Sequence, residues 1–130
     1  MATDFAAFLG IAADRGIARM MPGETAMGRP GVMHGGAIAT LLEQAGRAAV
    51  AAAIDAAGEE GRPAIMLASM TVDYLRVGPM AEAQAAGTIV KLGARVAVVM
   101  ASAWAGDPGK PFAAAKLTFL LVRRPTAQTV

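Results

Sequence analysis

From residue 37 to about residue 57 no proline interrupts an Ala-, Leu- and Ile-rich run suited to a long helix. At helical spacing Ala37, Ile38, Leu41, Leu42, Ala45, Ala49 and Ala52 cover one side, yet Ala39, Ala48, Val50 and Ala53 leave little polar surface on the other. A helix of that kind is buried on most sides, so the rest of the chain has to wrap it. Its few polar residues, Thr40, Glu43, Gln44 and Arg47, are informative, because a charge taken out of water without a partner costs several kcal/mol. Pro30-Gly31 breaks the chain ahead of the helix, and in His34-Gly35-Gly36 two glycines let another group approach the backbone closely.

At 130 residues the length suits one domain spanning residues 1–130. An apolar content of 55% predicts surface held back for a second subunit. No stretch of about 18 apolar residues is free of charge, and the first residues lack a basic run. The expectation is therefore a cytoplasmic protein with neither membrane span nor signal peptide. The absence of cysteine excludes a disulfide framework, a thiol nucleophile and a thiolate metal site. With His34 the only histidine, an imidazole-based metal site would lack a second ligand, and neither metal nor cofactor is expected. Residues 1–61 hold four basic against seven acidic side chains, residues 62–130 eight against three, so the second half is mildly basic. That suits a phosphorylated small ligand and is too sparse for nucleic acid.

A short helix through Phe5, Phe8 and Leu9, capped by Thr3 or Asp4, is predicted to stop at Gly10. Residues 11–21 read as a strand with a turn or bulge near Asp14-Arg15-Gly16. After the long helix, Gly58-Glu-Glu-Gly-Arg-Pro63 is a polar loop, and four strands follow at about 64–77, 81–91, 95–105 and 112–122. Their separators are short and rich in turn residues, which makes neighbours antiparallel. Residues 123–130 read as a fraying tail. A single helix apolar all round can be buried by such a sheet only if the sheet curls about it. The fold expected is α+β: a curved antiparallel sheet of about five to six strands around one long buried helix, the hot-dog architecture.

The motif His34-Gly35-Gly36, six residues, then Glu43 resembles the pattern of the hot-dog acyl-CoA thioesterases of the phenylacetate-degradation type. Leu9-Gly10-Ile11 and Val72-Asp-Tyr-Leu-Arg76 resemble further segments of that family, although the proline that usually follows the arginine is Val77 here. The resemblance implies a thioester carbonyl at the helix N-terminus, polarised by the Gly35 N–H, and Glu43 acting on it as general base or as nucleophile. It also implies homodimers or dimers of dimers and an acyl-CoA substrate. The spacing agrees: eight helical residues rise about 12 Å, too far for one carbonyl to touch both Gly35 and Glu43 of one chain.

Other readings stand beside it. Glu43 and Arg47 are spaced for an i,i+4 ion pair that does no chemistry. Thioesterases of this kind often carry Asn where this chain has Gly28, and some carry Thr where it has Arg47. Others place Ser on the strand after the helix, where Leu67 aligns, with Ser69 two residues on and expected on the same face. His34, Gly36, Arg47, Ser69, Arg76 and Arg95 are the candidate substrate-binding residues, Arg95 being the first choice for the phosphates of coenzyme A. The substrate is expected to be an aryl- or medium-chain acyl-CoA, held where Met27, Met33, Met66 and Met70 pack. The alternative is a hot-dog protein that binds acyl-CoA without turnover; a hydratase or dehydratase fits less well, having typically an Asp/His pair.

Overall fold

The computed structural model describes residues 4–14, 16–58 and 61–123. Helix α1 (Asp4–Phe8) ends at Gly10, whose φ of 78° closes the turn as predicted; Thr3 lies outside the described residues. The first strand is two: β1 (Ile11–Asp14) and β2 (Ile17–Met20) form a tight antiparallel hairpin through Gly16, which takes φ 84°. Helix α2 (Gly35–Ala56) follows, then β3 (Ala64–Tyr74), β4 (Ala83–Leu92), β5 (Val96–Trp104) and β6 (Ala113–Val122). Glu59, Glu60 and the tail beyond Arg123 lie outside the described residues.

The six strands form one antiparallel sheet in the order β1-β2-β4-β5-β6-β3, so the first strand and the strand after the helix are its two edges. Alternate residues of β5 and β6 (Ala97, Val99, Ala101 and Ala103; Ala113, Ala115, Leu117, Phe119 and Leu121) point inward and are buried. Against them lie Ala37, Ile38, Leu41, Leu42, Ala45, Val50 and Ile54 of α2. Small residues set the spacing. A Cβ at Gly87 on β4 would stand 3.0 Å from the Ala49 Cβ and 3.1 Å from the Ala45 carbonyl oxygen, so helix and sheet approach too closely there to admit a side chain without a shift. By length and mean hydropathy α2 matches a membrane-spanning helix, but its apolar surface is used against the sheet.

Strand β3 departs from plain alternation. Its pairing with β6 shifts between Leu67 and Ser69, with Ala68 as the extra residue of a bulge. Leu67 faces inward opposite Phe119, whereas Ser69 stands opposite Thr118 on the outer face. The strand also ends at Tyr74, because the N–H groups of both Leu75 and Arg76 turn to donate to the Phe112 carbonyl.

Candidate functional site

The N-terminus of α2 is built by its own preceding residues. His34, in extended conformation, is the N-cap: its Nδ1 accepts from the Ala37 N–H at 2.9 Å. On the other side of the ring Nε2 lies 2.9 Å from the Thr25 carbonyl oxygen. An acceptor at Nδ1 and a carbonyl at Nε2 require the tautomer with hydrogen on Nε2. Both nitrogens are thus occupied in holding the helix start, and His34 serves as scaffold for the turn. Its backbone adds to this by donating to the Ala26 carbonyl at 2.8 Å.

The capping satisfies Ala37 and leaves the first two helical amides open. Among the described residues neither Gly35 N–H nor Gly36 N–H has an acceptor, and both residues are exposed. Two unfilled donors at the positive end of a 22-residue helix make a seat for a carbonyl oxygen that is gaining negative charge. The glycines also answer to protein neighbours. A Cβ on Gly35 would lie 3.2 Å from the Tyr74 hydroxyl, and one on Gly36 3.2 Å from His34 Nδ1. Tyr74 is a site residue that sequence reasoning missed, placing it only within the family-like segment Val72–Arg76 and giving it no role. From the end of β3 its hydroxyl donates to the Gly35 carbonyl at 3.0 Å and ties the helix start to the sheet. Gly28, which replaces the expected Asn, packs beneath the cap, where a Cβ would lie 3.1 Å from that of His34.

Two turns along α2, Glu43 and Arg47 form the ion pair their spacing allows, Arg47 Nη2 donating to Glu43 Oε2 at 2.8 Å. Their side chains are 26% and 23% exposed. Arg47 also donates through Nη1 to the Ile65 carbonyl of β3, and its guanidinium carbon lies 5.4 Å from the centre of the Phe119 ring. Thr40 uses its hydroxyl on the Gly36 carbonyl at 2.7 Å. Gln44, 2% exposed, borders an open groove of about 800 Å³ between α2, β1 and the start of β3.

The remaining candidates disperse. Ser69 is a correction: the bulge at Ala68 turns it to the outer face of the sheet, away from the helix and from Leu67. Met66 is likewise on the outer face and 52% exposed, while Met33 is in the core and Met70 faces inward. Arg76 follows Tyr74 at the end of the sheet where α2 begins, exposed, its guanidinium with no hydrogen bond or ion pair among the described residues. Arg95 lies in the β4–β5 turn, at the opposite end of the sheet, where its carbonyl accepts from Leu121 N–H. Within one chain Arg95 and Gly35 are therefore not brought together.

The family model of the thioesterase superfamily matches residues 30–112 of the chain, which include the helix, its glycine-rich start and the strands up to the β5–β6 turn. No curated protein matches it. Among solved structures the chain is similar to a thioesterase of Haemophilus influenzae, at 23% identity over 95% of this chain and 85% of that one, with a TM-score of 0.79. It is similar also to a Bacillus halodurans protein solved with CoA (24% identity, 94% and 78% covered, TM-score 0.75). A third is a phenylacetic acid degradation-related protein of Ralstonia eutropha JMP134 (19% identity, 93% and 92% covered, TM-score 0.72). The hot-dog fold expected from the sequence is the fold these structures share.

Proposed function

The chain belongs to the thioesterase superfamily, and from that premise we propose that it hydrolyses the thioester of an aryl- or medium-chain acyl-CoA at a site completed between two copies of the chain. The observation that carries the reading is the pair of open amides at Gly35 and Gly36 on the same helix as an anchored carboxylate, Glu43. The amides suit the carbonyl oxygen of the thioester; the carboxylate suits a water molecule. Because about 12 Å of helix separates them, the Gly35 of one copy works with the Glu43 of the other. The edge strand β3 supports this assembly: it is 11 residues long, its outer side is unpaired, and an edge of that kind invites another strand.

Glu43 acts as general base in this scheme. Attack by the carboxylate itself would convert it to a neutral anhydride and leave the Arg47 cation, about three-quarters shielded from water, without its counter-charge. Arg76, free and beside the helix start, is the residue assigned to a coenzyme A phosphate.

The test is thiol release from a panel of phenylacetyl-, hydroxybenzoyl- and straight-chain acyl-CoAs, with the unaltered protein and Glu43→Ala side by side. Turnover of a panel member that falls by about 10²-fold or more in the variant is expected. Mixing Glu43→Ala with Gly35→Val chains should restore activity in the heterodimers if the site is shared. Binding of the esters with no release from any of them would refute the reading and leave an acyl-CoA-binding protein.

A further inference from the structure

We infer that Arg47 is a positioning residue for the hydrolysis: anchored on the sheet, it holds one oxygen of Glu43 and reserves the other for water. The inference rests on the function proposed above and deepens it. Two contacts fix the guanidinium independently of Glu43, namely the Ile65 carbonyl on β3 and the face of Phe119 on β6. The two strands pair with each other, and Ile65 lies in the regular stretch of that pairing ahead of the bulge, so Arg47 is braced against the sheet rather than against Glu43. Glu43, by contrast, has one hydrogen bond, from Arg47 Nη2 to Oε2; Oε1 accepts none. Without Arg47 nothing in the described chain would orient this carboxylate.

The manner of the contact matters. Nε–H and one Nη2–H of an arginine lie along the same edge and commonly take both oxygens of a carboxylate together. Here Nη2 is used while Nε is buried with no hydrogen-bond partner, the only such side-chain atom among the described residues. The pair is therefore held by one oxygen where a two-oxygen grip is chemically available, and Oε1 stays open. In the reaction, water attacks the thioester carbonyl carbon and gives its proton to Glu43 Oε1. The carbonyl π pair moves onto oxygen, facing the Gly35 N–H of the other copy. Collapse breaks the C–S bond, and the sulfur leaves with its electron pair and that proton, giving acid and thiol. Arg47 touches neither water nor substrate; it sets which oxygen is free and where it points.

The experiment is steady-state kinetics on phenylacetyl-CoA and decanoyl-CoA with the full chain, Arg47→Met, Arg47→Lys, Glu43→Gln and the Glu43→Gln/Arg47→Met double variant, each checked by its melting curve. Arg47→Met is expected to lower kcat by about 10- to 100-fold with KM within about threefold. Arg47→Lys keeps the charge but can reach only one of the two oxygen partners, so it should fall in between. In the Glu43→Gln background the Met substitution should cost less than about twofold more, because its effect passes through Glu43. A raised KM at unchanged kcat would make Arg47 a substrate-binding residue and overturn the inference, as would losses that multiply in the double variant. Should Arg47→Met not fold, a folded Arg47→Lys with full kcat overturns it equally. Turnover that disappears with Glu43→Gln but survives Arg47→Met refutes this inference alone; no turnover by the unaltered chain refutes the proposed function with it.

Discussion

Gly35→Ala separates a glycine kept for the ligand from one kept for the fold. The added methyl would stand 3.2 Å from the Tyr74 hydroxyl and 3.4 Å from its ring carbon. Those atoms are the far end of a side chain that is 54% exposed, so Tyr74 can swing outward rather than strain the backbone. The cost is then its hydrogen bond to the Gly35 carbonyl, about 1 kcal/mol. Against it stands the better helix propensity of alanine, worth at most about 1 kcal/mol and less at a helix's first residue. The net change lies within about 1 kcal/mol, and for a domain of this size Tm should move by no more than about 4 °C. Activity should respond far more, since the peptide unit that joins Gly35 to Gly36, flanked by one open amide and carrying the other, loses its tie to the sheet, and a displacement of about 1 Å in a reacting geometry costs on the order of 10²-fold. The assay pairs a melting curve with kcat/KM on the best acyl-CoA of the panel, with Tyr74→Phe as the variant that removes the bond without crowding. A fall in Tm of more than about 8 °C would make Gly35 a folding requirement. Wild-type kcat/KM at an unchanged Tm would show that the thioester does not sit there.

Two further predictions follow from the sheet. Ser69→Ala, on the outer face beyond the bulge, should leave kcat/KM within about twofold and stability within about 0.5 kcal/mol, read by thiol release and urea midpoint; a tenfold loss would bring Ser69 back into the site. Gly87→Ala forces a methyl into contact with Ala49 and Val99, each 3.0 Å away, and should lower stability by about 1–3 kcal/mol without altering KM. An unchanged urea midpoint would show that helix and sheet separate more readily than their close approach implies.

The parts of the fold that were legible are those written in local periodicity. The long apolar helix, its glycine-rich start and the turn-separated strands could be read because a helix buried on most sides carries no broad polar stripe. The hairpin of β1 and β2 was half legible: Gly16 signalled a turn but not that both arms would pair. What escaped is set by tertiary contact. Ala68 carries no mark of a bulge, yet by inserting one residue it exchanges the faces of Leu67 and Ser69. The strand after the helix read three residues too long, because the donors that end it turn to Phe112, far along the chain. For the site, the Glu43–Arg47 pair was visible from its spacing. The Tyr74–Gly35 bond was not, since 39 residues separate its partners.

The capping role of His34 gives the chain a built-in reporter. Because it is the sole histidine, its two ring nitrogens produce one isolated pair of ¹⁵N resonances, with no assignment problem. One nitrogen faces the Ala37 amide and the other the Thr25 carbonyl, and His34 itself immediately precedes the open amides of Gly35 and Gly36. A thioester or free coenzyme A settling on the helix start has to perturb that pair, so occupancy of the site can be followed spectroscopically even with an acyl group that is never turned over.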